Sequence, residues 1–526
     1  MLRLSVSLMA RRLTSMAIAA LLACLAVSDS AEAAEPTVAT QSGRVQGVTH
    51  GLVTSFKGIP FAAPPVGDLR WRDPRPVAPW KGVRMADAYG ANCMQAAAPP
   101  GIIGQDKPRP MSEDCLYLNV WTPKPKADAG LPVMVWIHGG AYVIGSGALA
   151  NTDGSALAGK GAVVVSFNYR LRQFGFFSHP AISGNSVETT ANFGLLDQIA
   201  ALKWVKRNIA NFGGDPDNVT IFGESAGAKS VLALFASPLA YGLFSKGIAE
   251  SSYLIPDMTR EKAVEMSVKI SDAVGLPGAS ATAKQLRDVP AEKLVALEGK
   301  GLSNAPVPIS GDKVLPRSID AVFRAGEEQP LPLILGNNSD DASVAAAFGV
   351  DPADVIGKIA AAGFVVKLLY PGVEDEKERA RQATRDLIFT MPVRWIADRH
   401  AKKAPVWTYY FDYTAEKLRP ERPNGVPHGD EIPYVFDTGD RDPVTKPVLT
   451  ENDRAFANKV SEYWFNFAKS SAPAAQGAPA WPRDTRFVDR TLILADPIEA
   501  KENFMKIRLD VMIGMTKIVG AVAGPR

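Results

Sequence analysis

The sequence is short of the residues that bind metals and of the apolar runs that cross membranes. Its 526 residues include five histidines and three cysteines. They are scattered and form no H-E-x-x-H motif, so no metal site is predicted. After residue 33, no apolar stretch is long enough to span a bilayer. The formal net charge is only +3 and no basic block stands out, so nucleic acid is not indicated as a partner.

The first 33 residues have the pattern of an export signal. Arg3, Arg11 and Arg12 precede an apolar run from Met16 to Val27, and small residues at 31 and 33 suit a signal-peptidase site. A transmembrane helix is the alternative, but the apolar run is too short for one. We therefore expect residues 1–33 to be a signal peptide and the protein to be periplasmic or secreted.

The cysteines bear on the same route. Cys24 follows Leu-Leu-Ala, which resembles a lipoprotein acylation site, but it lies midway along the apolar run. A lipid-anchored form is therefore the less favoured alternative. Cys93 and Cys115 remain as an even pair, which in an exported protein favours a disulfide. Such a bond would close a loop of about 20 residues and contribute roughly 3 kcal/mol. Two free thiols are the alternative.

Short apolar runs, each followed by a turn, predict the strands of a parallel sheet. The runs 133–137, 162–167 and 219–222 precede HGGAY, NYR and GESAG, respectively. Continuous β-branched runs of this length are typical of strands buried on both faces. Residues 192–212 have apolar positions at helical spacing. The alternation predicts an α/β fold with a large, mostly parallel central sheet flanked by helices.

The middle of the chain has a different pattern. From roughly 255 to 405 the sequence is richer in helical Lys/Glu/Ala patterns, whereas 406–413 and 491–495 again have strand patterns. We therefore expect residues 34–526 to form a single domain that carries a helix-rich insertion.

Ser225 is the predicted nucleophile. It is the only serine with glycine at both −2 and +2, and it lies between the strand pattern 219–222 and a helix beginning at Ala226. A tight strand-to-helix turn strains the backbone at the serine and needs glycine where neighbouring chains approach. The turn exposes Oγ at the end of the sheet, beside the positive N-terminus of the helix.

A serine hydroxyl needs a base to take its proton. In the topology that places a nucleophile on such a turn, the histidine follows it in the chain, which leaves His400 and His428. His400 lies in the basic last turn of a predicted helix, a common structural position. His428 lies in a Pro/Gly-rich loop after a strand, where catalytic groups are usually found. We predict that His428 is the base.

The oxyanion of an acyl-transfer reaction needs preorganised donors. His138-Gly139-Gly140-Ala141 follows a strand and is similar to the HGGG loop of esterases. The backbone N–H groups of Gly139, Gly140 and Ala226 are the predicted donors.

Taken together, these motifs resemble the type-B carboxylesterase and cholinesterase family of α/β-hydrolases. The resemblance runs through GIPFAAPPVGDLRW (58–71), EDCLYLNVWTP (113–123), WIHGGAY (136–142), NYRL (168–171), residues 191–227 and PHGDEIPYVF (427–436). It implies an α/β-hydrolase fold and no cofactor. It also implies that Ser251 supports the triad by hydrogen bonding and that Cys93 pairs with Cys115.

The acid departs from the family pattern. The family usually has glutamate in a loop of the form G-x-x-x-D-E-G, and residues 336–342 here read GNNSDDA. The resemblance therefore places Asp341 at the acid's position, with a side chain one methylene shorter. Asp340 is expected to be solvated or to brace the loop. Glu224 and Glu431 are weaker alternatives as the acid, and Glu224 is grouped with Ser251 as a neighbour of the triad.

The predicted function is a serine carboxylic-ester hydrolase that forms an acyl-enzyme on a small-molecule ester. A specialised hydrolase of a polyester, natural product or anionic ester is an alternative, with Lys107 and Arg109 as a speculative anionic-ester rim. A choline ester is disfavoured because residues 94–114 contain no aromatic side chain. A Ser310/Lys313 mechanism lacks the helix it needs, and a non-catalytic relative would have lost Ser225 or His428. The oligomeric state is left open.

Overall fold

The computed structural model of the protein describes most of the chain. It covers residues 35–96, 109–184, 189–253, 256–297, 308–347, 351–352, 354, 362–441, 446–485 and 488–523. Thr37–Arg526 form one compact unit, and the other unit, Met1–Pro36, lies almost wholly outside the described residues. The predicted signal peptide and Cys24 therefore lie outside them as well.

The described strands build one large mixed sheet and three small ones. The strands are β1 Thr37–Ala39, β2 Arg44–Gln46, β3 Val48–His50, β4 Val53–Pro60, β5 Val83–Met85, β6 Asn92–Cys93, β7 Met111–Ser112, β8 Tyr117–Thr122, β9 Leu131–Ile137, β10 Val163–Phe167, β11 Gly214–Glu224, β12 Lys246–Glu250, β13 Met258–Thr259, β14 Ile309–Ser310, β15 Leu333–Asn338, β16 Val406–Phe411, β17 Arg490–Leu494 and β18 Glu499–Glu502. The large sheet has eleven of them, in the order β18-β17-β16-β15-β12-β11-β9-β10-β8-β4-β3.

The centre of this sheet is parallel and its ends are antiparallel. The run from β10 through β9, β11, β12, β15 and β16 to β17 pairs in parallel. The pairs β10–β8, β8–β4, β4–β3 and β17–β18 are antiparallel. The prediction of a large, mostly parallel sheet is therefore confirmed, and the carboxyl ends of its central strands lie along one edge.

Helices cover the sheet and connect its strands. They are α1 Ser155–Gly159, α2 Arg172–Gly175, α3 Pro180–Ser183, α4 Phe193–Asn208, α5 Ala226–Ala236, α6 Arg260–Ala273, α7 Ala283–Arg287, α8 Ala291–Val295, α9 Ile319–Ala325, α10 Ser343–Ala347, α11 Ala362–Leu369, α12 Glu376–Arg385, α13 Met391–His400, α14 Ile432–Val435, α15 Glu451–Ser470 and α16 Lys506–Ala523. A π-helical segment, Asp386–Thr390, joins α12 to α13. Among the described residues, no helix is both long and apolar enough to cross a membrane.

Alternation along the strands places a core on each face of the sheet. On β11, Val219 and Ile221 contribute to one buried apolar cluster, and Phe222 contributes to the other. Helices α4 and α5 pack on the first cluster, and α15 packs on the second through Val460 and Trp464. Because both faces are covered, central strands such as β9 and β10 are apolar and buried along almost their whole length rather than alternating with exposed polar residues.

Candidate active site

The turn after β11 presents Ser225 in a strained conformation. Ser225 has φ 56° and ψ −118°, and its N–H donates to Glu250 O at 2.8 Å. A Cβ on Gly223 would lie 2.5 Å from Ile137 O, and one on Gly227 would lie 2.0 Å from the same oxygen. Only glycine lets β11 and the start of α5 approach the end of β9 this closely. This is the geometry that exposes a serine Oγ at the edge of the sheet.

His428 and Asp341 come together from loops that follow neighbouring strands. Asp341 follows β15, His428 lies in the loop after β16, and those two strands pair in parallel. His428 Nδ1 lies 2.7 Å from Asp341 Oδ1, and the carboxylate is fully buried. A buried carboxylate on Nδ1 keeps a proton on that nitrogen and leaves Nε2, which faces Glu224, as the nitrogen that exchanges a proton.

The second oxygen of Asp341 is also held. Asp341 Oδ2 accepts hydrogen bonds from Ser251 Oγ at 3.0 Å and from the Asn338 N–H at 2.7 Å. His428 is fixed through its own backbone, whose N–H donates to Ser343 Oγ at 3.0 Å, and by the Phe389 ring, 5.2 Å from the imidazole between centroids. The acid–base pair is therefore rigid on both sides.

Glu224 lies on the other side of the imidazole. Its Oε1 is 3.0 Å from His428 Nε2, and neither atom has a hydrogen-bond partner within the described part of the chain. Burial alone would lower the pKa of the His428 imidazole, but the carboxylates of Glu224 and Asp341 outweigh burial and raise that pKa well above its ordinary value. The site therefore stabilises a positively charged imidazole.

Two further glutamates lie buried around this pair. The register of β11 and β12 sets Glu224 opposite Glu250, whose Oε1 accepts from Trp464 Nε1 at 2.7 Å. Burial raises the pKa of Glu250 to about 8. Burial, reinforced by the neighbouring carboxylates, raises the pKa of Glu431 well above its ordinary value, and Asn338 Nδ2 donates to Glu431. Burial therefore favours the neutral form of both carboxyls, because several adjacent buried charges would repel one another.

The loop after β9 brings backbone close to the nucleophile. A Cβ on Gly139 would lie 2.7 Å from Glu224 Oε2 and 3.3 Å from Ser225 Cβ, so a side chain has no room there. Gly140 has φ 98° and Ala141 φ 53°. Within the residues that the structure describes, the N–H groups of Gly140, Ala141 and Ala226 donate no hydrogen bond.

His138 holds this loop rather than taking part in proton transfer. Its ring stacks on Tyr169 with centroids 4.3 Å apart, and its Nδ1 lies 2.9 Å from Gly139 O. Burial lowers the pKa of His138 to about 4. The imidazole is therefore neutral and acts as a packed support for the glycine turn.

A model of the carboxylesterase family matches residues 34–363 and 370–511. The chain belongs to the carboxylesterase family. It is 37% identical to the para-nitrobenzyl esterase of Bacillus subtilis (strain 168) over 483 residues, covering 88% of this chain and 95% of the relative. It is 36% identical to the fumonisin B1 esterase of Sphingopyxis macrogoltabida over 526 residues, covering 92% and 91%, respectively. The structure of the carboxylesterase EST55 of Geobacillus stearothermophilus superposes with a TM-score of 0.78 at 32% identity and covers 90% of this chain and 98% of that one.

These similarities establish that the chain is an ester-hydrolysing enzyme. The family resemblance and the α/β-hydrolase fold expected from the sequence motifs are confirmed. So is the expectation of an ester-hydrolysing enzyme, and the non-catalytic alternative has no support among these relatives.

Several candidates from the sequence have other partners in this carboxylesterase. His400 is buried, with Nδ1 3.0 Å from Glu328 Oε1 and Nε2 2.7 Å from Leu331 O, so both ring nitrogens are engaged away from Ser225. Ser310 lies in β14 rather than at a helix start, and Lys313 donates to Asp73 at 2.6 Å.

The disulfide loop is described in part. Cys93 and Cys115 are joined by a disulfide. Arg109 lies over the Tyr89 ring, 4.7 Å from its centroid. Lys107, the other half of the speculated anionic-ester rim, lies outside the described residues.

The structure also contains charged pairs that the sequence did not predict. Asp340, which was expected to be solvated or to brace the loop, is buried and binds Arg381 of α12. Lys229, one turn after the nucleophile, is buried and lies 3.2 Å from Asp257 Oδ1. A lysine within the apolar segment AGAKSVLALFA was the available signal for the second pair. Nothing local in the sequence indicated that Arg381 would pair with Asp340.

Proposed function

We propose that this carboxylesterase works through a Ser225–His428–Asp341 triad and an acyl-enzyme intermediate. The observation that carries the proposal is the 2.7 Å contact between His428 Nδ1 and the buried Asp341 carboxylate. It joins residues 87 positions apart, and they meet at the sheet edge that carries the strained Ser225. An acid that orients a histidine at the sheet edge where a serine sits on a strained turn is the arrangement that activates a hydroxyl for acyl transfer.

In the first half-reaction, Ser225 Oγ attacks the ester carbonyl carbon while His428 Nε2 takes the hydroxyl proton. The carbonyl π electrons move to oxygen, and a tetrahedral oxyanion forms. When that intermediate collapses, the C–O bond to the alcohol breaks and the imidazolium gives its proton to the leaving oxygen. The products are the free alcohol and an acyl-Ser225 ester.

In the second half-reaction, water replaces the alcohol. The water oxygen attacks the acyl carbon while His428 takes a proton from that water, and a second oxyanion forms. Collapse breaks the bond to Ser225 Oγ, which regains the proton from His428, and the carboxylic acid is released. The residues are returned to their starting state, so no cofactor is consumed.

The oxyanion donors are assigned to the Gly139–Ala141 loop and to Ala226. Gly139 and Gly140 are retained from the motif. Ala141 joins them because its N–H has no acceptor in the described part of the chain. Donors already aligned with the developing charge lower the barrier without reorganising during the reaction. Ser251 supports Asp341, and Glu224 stabilises the imidazolium of each intermediate.

The nucleophile is tested by labelling and substitution. An aryl organophosphonate is expected to inactivate the enzyme and add its mass to the peptide that contains Ser225. Ser225→Ala is expected to abolish labelling and to lower kcat by roughly 10⁶. Ser310→Ala is the matched control, because that serine lies in β14 and donates to Met258 O. Labelling that persists in Ser225→Ala would refute the assignment.

The proposed substrates are small-molecule carboxylic esters other than choline esters. The disulfide loop lacks the aromatic residue that a quaternary ammonium would need for cation–π binding. Para-nitrobenzyl esters and fumonisin B1 are the first compounds to test, since two relatives are named for them. A screen across acyl length and alcohol size, with choline esters as the negative arm, would identify the preferred class. Faster turnover of choline esters than of neutral esters would contradict the proposal.

We also propose that the enzyme is exported. The basic and apolar pattern of residues 1–33 and the Cys93–Cys115 disulfide support this, because disulfides persist in oxidising compartments. Expression of the full chain, followed by N-terminal sequencing of the periplasmic and secreted fractions, tests it. A new N-terminus at residue 34 is expected, whereas an intact chain retained in the cytoplasm would refute export.

A further inference from the structure

The residue before the proposed catalytic acid is bound by a helix of the insertion. Asp340 is buried, and its Oδ1 accepts a hydrogen bond from Arg381 Nη1 of α12. The remaining face of that guanidinium is held by Glu378, with Nε to Oε2 at 2.8 Å and Nη2 to Oε1 at 2.7 Å. A planar fork held on both sides by carboxylates has little freedom to turn. Arg381 is therefore a fixed point rather than a mobile surface charge.

A second arginine, one turn further along α12, holds the preceding residue. Arg385 Nη1 donates to Ser339 O at 3.0 Å, and Arg385 Nε donates to Asp386 Oδ1 at 2.8 Å. Residues four apart lie on the same face of a helix. One face of α12 therefore donates hydrogen bonds to Ser339 and Asp340, the two residues directly before Asp341.

The same two residues are bonded to the loop that carries His428. The Asp340 N–H donates to Val426 O at 2.9 Å, and the Val426 N–H donates to Ser339 Oγ at 2.9 Å. Asp340 also forms a parallel β-bridge with Pro427, the neighbour of His428. A shift at Ser339 and Asp340 would therefore move both members of the acid–base pair.

We propose that Arg381 is a positioning residue for the Asp341–His428 pair and that Asp340 is the anchor it binds. The inference rests on the proposed triad. Through Asp340, α12 holds the acid loop and the histidine loop in register. Arg381 also offsets the charge of Asp340, so that Asp341 is the uncompensated carboxylate facing His428.

The charges that bear on this pair come from few elements. Asp340 faces Arg381 and Arg385 of α12 and Asp341 of its own loop. His428 faces Asp341 and, from the end of β11, Glu224. Removing the Arg381 charge leaves the Asp340 carboxylate uncompensated near the imidazole, which favours the protonated imidazole.

The test compares Arg381→Met with Arg379→Met in the full-length enzyme. Arg379 lies on the same helix with a side chain 12% exposed, against 15% for Arg381, but it donates to Val373 O and does not contact the acid loop. Arg381→Met is expected to lower kcat about tenfold with KM for the same ester within about twofold. Its acidic limb of kcat/KM is expected to move up by roughly 0.5 pH unit, and Arg379→Met is expected to change neither.

Combining the substitutions separates position from charge. Asp340→Asn keeps an oxygen for Arg381 and is expected to lower kcat less than about threefold. Adding it to Arg381→Met is expected to return the acidic limb to its wild-type position while kcat stays low. If Arg381→Met does not fold, Arg381→Lys replaces it. Lysine cannot hold Glu378 and Asp340 together, so kcat is expected to fall about threefold with the acidic limb unmoved.

Equal kcat values and equal acidic limbs for Arg381→Met and Arg379→Met would overturn the inference. If Arg381→Lys is the variant tested, a kcat equal to that of the wild type would also overturn the inference. Ser225→Ala distinguishes this failure from a failure of the triad. If Ser225→Ala is inactive while the Arg381 variants behave as wild type, only the positioning role is wrong. If Ser225→Ala remains active, the triad itself is wrong.

Discussion

The nucleophile side and the acid–base side of the proposed active site are built in different ways. Ser225 and the Gly139–Ala141 loop lie on turns whose geometry is set within a few residues by glycines packed against strand ends. His428 and Asp341 lie on two separate loops and meet through side-chain contacts, with α12 behind them. The first half depends on backbone clearance and the second on networks of charge and hydrogen bonds. We therefore expect substitutions on the first side to displace the backbone, and substitutions on the second side to change proton transfer and its pH dependence.

Among substitutions that leave Ser225 itself in place, the largest expected effect is on the acid–base side. Asp341→Asn is expected to lower kcat by roughly 10⁴ with the fold intact, because an amide favours the wrong imidazole tautomer. Steady-state kinetics and circular dichroism measure both parts. Asp340→Asn is the matched control, and we expect it to lower kcat less than about threefold. The reverse order would mean that the wrong carboxylate has been assigned.

On the nucleophile side, Gly227→Ala is expected to lower kcat by about 10² and destabilise the fold by about 1–3 kcal/mol. Its Cβ would lie 2.0 Å from Ile137 O, so α5 would have to move away from β9 and take Ser225 with it. Gly159→Ala is the control, because a Cβ there meets nothing within 4 Å. Unchanged kinetics and thermal stability in Gly227→Ala would show that the turn tolerates the shift.

Glu224→Gln tests the charge next to the imidazole. The Glu224 carboxylate helps to raise the pKa of His428, so its removal is expected to move the acidic limb of kcat/KM to lower pH by about one unit. Relative activity at pH 5 would then rise. Glu431→Gln is the contrast, because burial raises the pKa of Glu431 and favours its neutral form, which an amide resembles in charge. An acidic limb that moves equally in both variants would contradict these assignments.

The smallest expected effect is on stability. In the folded protein the pKa of Glu250 is about 8, above its ordinary value of 4.5. Between those pH values the folded state binds more protons than the unfolded state, so stability falls as pH rises and the loss is complete above pH 8. Glu250→Gln removes this dependence, and its Tm relative to wild type is expected to rise by a few degrees from pH 5 to pH 9.

Differential scanning calorimetry across that range measures the trend. Glu499→Gln is the control, because Glu499 is exposed on β18 and has no burial to relieve. A difference between Glu250→Gln and wild type that is flat with pH would show that Glu250 stays charged in the folded protein.

The features that could be predicted from the sequence are those encoded over short distances. Apolar runs and glycine spacing predict a strand at 219–222, a turn at Ser225 and a helix after it. In the structure these are the end of β11, the residue that links it to α5, and α5 itself. The position of Asp341 was inferred from a family motif and chain order, whereas its contact with His428 is a tertiary fact. The contact of Asp340 with Arg381 could not be predicted, because it joins positions 41 apart and nothing local marks Arg381 as the partner.

The glutamates around the triad show the same division. Glu224 and Glu431 were visible as acidic neighbours of Ser225 and His428, but the β11–β12 register is what brings Glu250 opposite Glu224. Their protonation depends on burial and on mutual repulsion, which are properties of the folded assembly. The sequence can place a carboxyl near a motif, but it does not give the burial and the neighbouring charges that set the pKa of that carboxyl.

By itself, the sequence determined that the chain builds an α/β sheet and has a serine turn and a glycine-rich donor loop, because strand burial and glycine clearance are local demands on residue type. Only the tertiary structure decided that the Asp341 carboxylate meets His428 Nδ1, that Asp340 is buried against Arg381 and that burial raises the pKa of Glu250. Those outcomes depend on distances between segments far apart in the chain and on their shared removal from water.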